Sequence, residues 1–123
     1  MSKWSHLANA KHIDLIIAHA KAHPKAWDEA TFAARWSALN TAWNAAWDAA
    51  YDAAWNAAWD ATDDAARYDA ASFAILALVA WDHAGGLMDL PAEQVKVLAI
   101  LGDQAAIMMY SAIVAMETTQ ELA

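Results

Sequence analysis

A four-residue repeat occupies the middle of this 123-residue chain. Residues 41–62 read TAWNAAWDAAYDAAWNAAWDAT, in which alanines, one aromatic residue and one Asn or Asp recur in turn. The aromatic positions, each four residues after the last, are Trp43, Trp47, Tyr51, Trp55 and Trp59. Alanine is the strongest helix former, and residues four apart lie on neighbouring turns of one helix. The repeat therefore predicts an α-helix that carries large rings, short polar side chains and alanines side by side.

The stripe of rings is predicted to wind around this helix. Four residues turn an α-helix by about 400°, so each ring is displaced by about 40° from the one before. A coiled-coil seam needs a period near 3.5, and even a right-handed supercoil needs about 3.67. The repeat is therefore not a coiled-coil zipper. Its rings must meet more than one neighbour or stay partly exposed, while the alanines let other helices come close.

Helix-breaking residues are scarce, with three Gly and two Pro in the whole chain. Pro24 is expected to end a first helix, which starts near Ser2 or Ser5, and to open the next one. No Gly or Pro follows until residue 85, and one helix of that length would be a rod of roughly 90 Å. Such a rod can break at Asn40 or Thr41, or near residues 60–63 at Asp60 or Thr62, each of which can cap a new helix.

The C-terminal part of the chain predicts a helical hairpin at residues 89–119. Gly85 and Gly86 are expected to end the preceding helix in left-handed geometry. The first helix of the hairpin should end at Gly102, after which Asp103 caps the last helix.

Three apolar runs, 73–81, 95–101 and 105–116, are too apolar for helices with a free face, so they are predicted to form the core. The expected core residues are Phe73, Ile75, Leu76, Leu78, Val79, Val97, Leu98, Leu101, Ile107, Met108, Ile113 and Val114.

The predicted fold class is all-α, and the length is that of one domain. We expect a single-domain helical bundle of about five helices over residues 1–123, with one long Ala/Trp-rich helix between Pro24 and about Thr62. The domain comprises an N-terminal helix (1–23), a long Ala/Trp-rich segment (24–84) that a break near 60–63 can divide, and the hairpin (89–119). Because a winding stripe of rings is hard to bury within one small chain, we also expect a homo-oligomer, most simply a dimer.

Cysteine is absent, which excludes disulfides, thiolate metal sites and a Cys nucleophile. The first residues lack the basic end and apolar block of a signal peptide. The apolar runs are shorter than the roughly 20 residues that cross a bilayer. We therefore expect no membrane span, and a cytoplasmic location is favoured.

The net charge of −8 is unevenly distributed. Residues 1–35 hold five basic and three acidic residues, whereas residues 36–123 hold two basic and twelve acidic ones. A field of this sign repels nucleic-acid phosphate and attracts basic proteins. Direct binding of DNA or RNA is therefore not expected, and a basic protein is the favoured partner.

No motif in the sequence indicates catalysis. His19 and His23 have the i, i+4 spacing of two zinc ligands, but solvent-facing histidines near a helix C-terminus explain the pair more simply. Asp82 and His83 are adjacent on a helix and point about 100° apart, so they are not a ready acid–base pair. The sequence therefore predicts no enzyme, no metal and no cofactor.

Part of the second half of the chain shows a family resemblance. Its motifs are Ala65–Ala70, Trp81 with Asp82, Val97–Gly102, and Ala105 with Ala106. In these motifs the chain resembles the C-terminal part of small Ala-rich proteins of bacteriophages and prophages, over about half its length. The resemblance implies a phage or mobile-element origin and the cytoplasm of a bacterial host. It implies no activity, and this chain has Trp and Asn where those proteins often have Arg.

The rings of the repeat allow two interpretations. They can fill gaps between Ala-lined helices, or they can line a contact surface, because Trp and Tyr are common interface anchors. For the second interpretation the predicted partner-binding residues are the five rings and six acids: Trp43, Trp47, Tyr51, Trp55, Trp59, Asp48, Asp52, Asp60, Asp63, Asp64 and Asp69.

The favoured function is a non-catalytic protein that binds and modulates a host protein. If that host protein binds DNA, the acids can imitate the charge of a nucleic-acid backbone; alternatively, they form a solvated face that only keeps the Trp-rich helix soluble. The alternatives are a helical protein that sequesters an aromatic or nucleotide-like ligand between Trp rings, and a structural component of the virion.

Overall fold

The computed structural model describes residues 4–35, 40–57 and 71–122. This part of the chain contains six α-helices and one 3-10 helix, and no strand. The helices are α1 (Ala10–Ala22), α2 (Pro24–Arg35), α3 (Asn40–Ala57), α4 (Ser72–Ala80), the 3-10 helix (Asp82–Asp89), α5 (Ala92–Ile100) and α6 (Gln104–Leu122). The all-α prediction is confirmed, whereas the expected number of about five helices is too small.

The first helix ends where predicted but begins later. Pro24 opens α2 directly after α1, as its missing N–H and fixed φ favour. The expected start near Ser2 or Ser5 is wrong, because the described residues before Asn9 form turns. Trp4 is buried there, and its indole N–H donates to Oδ1 of Asp14 over 2.8 Å. The turns thus place the Trp4 ring beside Asp14 of α1.

The stretch after Pro24 is not one rod. α2 and α3 are separate helices that contact each other, and both pack against α6. A straight helix over both segments would hold them end to end, so the expected long helix from Pro24 is corrected to at least two helices. Asn40, one of the two predicted break sites, is the first residue of α3. The other, near residues 60–63, lies outside the described residues.

α6 is the central helix of the bundle. It is packed by α2, α3, α4, the 3-10 helix and α5. Its buried residues lie all around the helix: Ala105, Ala106, Ile107, Met108, Met109, Ser111, Ala112, Ile113 and Ala115. A helix that is apolar all round belongs inside a fold. The core prediction is confirmed for Ile107, Met108 and Ile113 of this run and for Ile75, Leu76, Leu78 and Val79 of α4. The other predicted core residues Phe73, Leu98 and Val114 are only partly buried and pack against the core.

α5 lies at the edge of the bundle, and part of its predicted core is wrong. Its buried residues are Ala92, Val95 and Ala99, which share one helical face. Val97 is 56% exposed and Leu101 is 77% exposed. A helix of nine residues that packs mainly on α6 buries one face, so its remaining apolar residues face outward.

Gly102 makes the turn between α5 and α6. Its φ of 99° lies in the left-handed region that favours glycine. Oδ1 of Asp103 then accepts the backbone N–H of Ala106 over 3.0 Å, which is the N-cap bond predicted for this residue.

Gly85 and Gly86 do not end α4. Gly102 is the only residue with positive φ in the described part of the chain, so the left-handed ending expected at Gly85 and Gly86 is wrong. α4 already ends at Trp81, which is extended.

No helix among those described is both long enough and apolar enough to span a bilayer.

Candidate partner-binding surface

The repeat puts its alanines, rings and acids on different sides of α3. Ala46, Ala50 and Ala54, the second alanine of each pair, are fully buried where α3 packs against α4 and α6. Alanines at this spacing let two helix backbones approach closely. The first alanine of a pair is more exposed, as Ala45 shows. The side of α3 that faces the bundle is thus made of methyl groups, and the rings are displaced from its centre.

Three rings form a continuous stack along α3. Trp47 stacks on Tyr51 with ring centroids 5.2 Å apart and planes inclined by 21°. Tyr51 stacks on Trp55 at 5.4 Å and 19°. Both Trp rings are half-buried, and Tyr51 is 37% exposed. We call Trp47, Tyr51 and Trp55 the aromatic stack, and it presents a partly open apolar surface whose rings hold one another in place.

Trp43 belongs to the core. It is only 5% exposed, and its ring meets Phe73 of α4 edge-on, with centroids 4.7 Å apart and planes at 78°. The drift of about 40° per ring explains the division, since one end of the stripe faces α4 and the rest turns away from it. Core filling and surface exposure therefore both occur within one repeat.

The acidic side chains of α3 are exposed. Asp48 and Asp52 each follow a ring of the aromatic stack, and Asn44 and Asn56 occupy the equivalent exposed positions. Residues 40–57 include no Lys, Arg or His. The surface beside the aromatic stack thus has a negative charge that no basic residue of the same helix offsets.

A cleft opens between Trp43 and Trp47. It has a volume of about 550 Å³. We call it the ring cleft; its described lining consists of three rings, one amide and one carboxylate, from Trp43, Trp47, Phe73, Asn44 and Asp48. The ring cleft lies between these two rings because the Trp43 ring contacts Phe73 of α4, whereas the Trp47 ring stacks on Tyr51.

Six of the eleven predicted partner-binding residues are thus brought together on α3: Trp43, Trp47, Tyr51, Trp55, Asp48 and Asp52. The other five, Trp59, Asp60, Asp63, Asp64 and Asp69, lie outside the described residues.

A hydrogen-bonded relay joins α1, α2 and α6. The indole N–H of Trp27 donates to Nδ1 of His19 over 2.8 Å. Nδ1 is therefore the acceptor, so the proton of the neutral ring lies on Nε2, which donates to Oγ1 of Thr119 over 2.9 Å. The Thr119 hydroxyl in turn donates to the carbonyl oxygen of Met116 over 2.9 Å. We call this chain of bonds the His19 relay.

The surroundings of the His19 relay favour a neutral imidazole. Burial lowers the pKa of His19 below its usual 6.5, and the charge of nearby His23 lowers that pKa further. The two imidazole centroids are 4.7 Å apart. The expectation that both histidines face solvent is wrong for His19, whose partner Thr119 is 100 residues away. No local pattern reveals such a pair.

Asn9 is a second polar residue whose role the sequence does not reveal. It is buried, and its Nδ2 lies 3.0–3.1 Å from the carbonyl oxygens of Leu78, Trp81 and Asp82. The Leu78 oxygen belongs to the last turns of α4, and the Trp81 oxygen also accepts the backbone N–H of Ala84 at the start of the 3-10 helix over 3.1 Å. One amide thus fastens the start of α1 to the end of α4.

The described part of the chain contains no group of three or more His, Asp or Glu side chains placed to hold a metal ion. His83 contacts Asp103 at 3.5 Å rather than its neighbour Asp82, and the His83 side chain is 58% exposed. This pair lies on the surface and not in a cleft that shields a substrate.

Comparisons with known proteins do not assign a role to these features. No family model, curated protein or solved structure matches the chain. The role of the α3 surface must be inferred from its own residues.

Proposed function

We propose that this chain is a non-catalytic binding protein of phage or mobile-element origin that binds a host protein and modulates its activity. The contact surface is the aromatic stack with Asp48 and Asp52. The observation that supports it best is the partly open Trp47–Tyr51–Trp55 stack on a helix whose buried side is alanine. The origin rests on the resemblance of residues 65–106 to phage and prophage proteins.

The physics of interfaces favours these rings as anchors. Trp and Tyr dominate the binding free energy of many protein interfaces, because a large ring excludes water from its surroundings. The rings of the aromatic stack are held by one another, so binding immobilises few additional rotors. A partner that covers them gains apolar contact at a small entropic cost.

Charge selects the partner. Exposed carboxylates such as Asp48 and Asp52 speed association with a basic surface and repel an acidic one. The net charge of −8 acts in the same direction. We therefore expect a basic host protein, such as one that binds nucleic acid, in the bacterial cytoplasm, and no direct contact with DNA or RNA.

The ring cleft favours one alternative function. A cleft with three rings and two polar groups resembles a small-molecule site in its chemistry, so sequestration of an aromatic ligand is the second candidate. Titration separates the two functions, since a sequestering protein binds its ligand without any host protein present.

We also propose that the chain forms a homodimer. Large apolar side chains remain exposed outside the aromatic stack, including Phe32 at 67% and Ile100 at 63%. A dimer would cover part of this surface. Light scattering at micromolar concentration should give twice the mass of the chain, and the mass of a monomer would contradict the proposal.

Affinity capture from bacterial lysate tests the main function. The tagged protein is compared with the variant Trp47→Ala/Trp55→Ala and with the control Val97→Ser/Leu101→Ser, which removes exposed apolar groups from α5 and the residue after it instead. A partner should be captured by the wild type and the control but lost with the ring variant. Equal capture by all three folded proteins would contradict the proposed surface.

A further inference from the structure

We propose that the ring cleft is a pocket for an arginine side chain of the partner. This inference rests on the proposed function, because it names the group that the bound protein inserts. The observation that supports it is that the ring cleft combines aromatic walls with two polar side chains, those of Asn44 and Asp48.

The walls of the cleft are aromatic and held in place. Trp43 is buried and fixed by its edge-on contact with Phe73, and Trp47 is fixed from the other side by its stacking on Tyr51. Small-molecule sites commonly have volumes of about 300–1,000 Å³, so a cleft of about 550 Å³ has room for one long side chain. The cleft exists before any partner binds.

The rings favour a flat cation. A guanidinium group stacks on aromatic faces, is only weakly hydrated and remains charged at all physiological pH values. A lysine ammonium is compact and strongly hydrated, so it loses more when it leaves water and has no planar face to stack.

The polar lining points to the same group. The carboxylate of Asp48 can accept two N–H bonds from the guanidinium fork, and the amide oxygen of Asn44, one helical turn earlier, can accept another. No residue of α3 has a positive charge, and Asp52 adds a second negative charge one turn further on. A ligand with a phosphate would be repelled here, and a neutral aromatic ligand would gain no attraction from the Asp48 carboxylate.

The probe is the blocked tripeptide acetyl-Gly-Arg-Gly-amide, titrated into the isotope-labelled protein and followed by NMR at the indole N–H groups. The matched peptides replace Arg with citrulline, which has the same shape without the charge, or with Lys. A charge-assisted hydrogen bond distinguishes Arg from citrulline, so the Arg peptide should bind about tenfold more tightly or better. The Lys peptide should also bind more weakly than the Arg peptide.

Two variants locate the site. Asp48→Asn should remove the preference for Arg over citrulline, and Trp47→Ala should weaken binding of every peptide. The control Asp28→Asn changes an exposed carboxylate of α2 and should leave the titration unchanged. Asp48 is exposed, so the protein with Asp48→Asn is expected to fold, and circular dichroism checks this.

Equal affinity for the Arg and citrulline peptides would overturn the inference, as would tighter binding of a nucleoside monophosphate than of the Arg peptide. An Arg preference that survives Asp48→Asn would also overturn it. If a host protein is captured in a Trp47-dependent way but the Arg peptide shows no preference, the arginine pocket is wrong and the proposed function stands. If the Arg preference is present but no host protein needs these rings, the proposed function fails instead.

Discussion

Trp27 donates its indole N–H to Nδ1 of His19 over 2.8 Å, and this bond decides which protonation state of the imidazole the fold accepts. Protonation of Nδ1 turns the acceptor into a donor that faces another donor. Burial and His23 already lower the pKa of His19 below its usual 6.5. The contact between α1 and α2 is therefore one that acid weakens.

The first prediction is a loss of stability in acid that depends on His19. Because its pKa in the folded state is below that in the unfolded state, the unfolded chain binds the proton more readily. The stability from neutral His19 is fully present above about pH 6.5 and is lost as the pH falls through the lowered pKa. The free energy of unfolding, measured by denaturant titration between about pH 7.5 and 5, should fall less for His19→Gln than for the wild type.

Gln is suited to this test because its amide can accept from Trp27 and donate to Thr119 without titrating. The control is His6→Gln, which removes an exposed histidine and should leave the acid-dependent loss in place. If His19→Gln loses stability in acid as steeply as the wild type, the relay does not respond to pH.

The second prediction separates two adjacent glycines. A Cβ on Gly85 would overlap Oδ1 of Asn9 and lie 2.8 Å from Nδ1 of His12, whereas a Cβ on Gly86 would meet nothing within 4 Å. Gly85→Ala should therefore destabilise the fold by about 1–3 kcal/mol, since the hydrogen-bonded Asn9 side chain and the His12 ring must shift to make room. Gly86→Ala should change stability by less than about 0.5 kcal/mol. Thermal melts of the two variants decide this, and equal melting temperatures would show that Asn9 and Gly85 are not in close contact.

The third prediction concerns two adjacent alanines of one repeat. Ala46 is fully buried and Ala45 is exposed. Leu at position 46 forces α3 away from its neighbours, at a cost of about 1–3 kcal/mol, while Leu at position 45 should have an effect within about 0.5 kcal/mol. The free energies of unfolding of Ala46→Leu and Ala45→Leu measure the difference. A larger loss for Ala45→Leu would mean that α3 is rotated about its axis relative to this structure.

Local features of the sequence predicted local features of the fold. Pro24 and Gly102 act through their own backbone restrictions, and Asp103 bonds an N–H three residues away. The all-helical class follows from the alanine content and the scarcity of breakers. None of these features depends on a distant segment, so the sequence alone was sufficient.

The sequence alone did not predict the features that depend on contacts between distant segments. Val97 and Leu101 are as apolar as Val95, but only Val95 faces α6, and which face of a short apolar helix is buried depends on its neighbour. His19 meets Thr119 across 100 residues.

The candidate site also combines features that the local sequence predicts with features that depend on a distant segment. The repeat predicted which α3 residues are rings and acids, and its drift predicted that the rings would meet more than one neighbour or stay partly exposed. It could not predict that Phe73 would be the contact of Trp43, on which the ring cleft depends.

The most direct measurement for the proposed surface is the binding kinetics of the captured host protein at low and high salt. The proteins compared are the wild type, Trp47→Ala and the double variant Asp48→Asn/Asp52→Asn. Exposed charges mainly set the association rate and are screened beyond about 8 Å at physiological salt, whereas truncation of a buried ring anchor can cost about 2 kcal/mol or more, mostly through faster dissociation. We expect the double variant to associate more slowly with a weaker salt dependence, and Trp47→Ala to dissociate more rapidly. If both variants keep the fold and both rate constants match those of the wild type, the α3 surface is not where the partner binds.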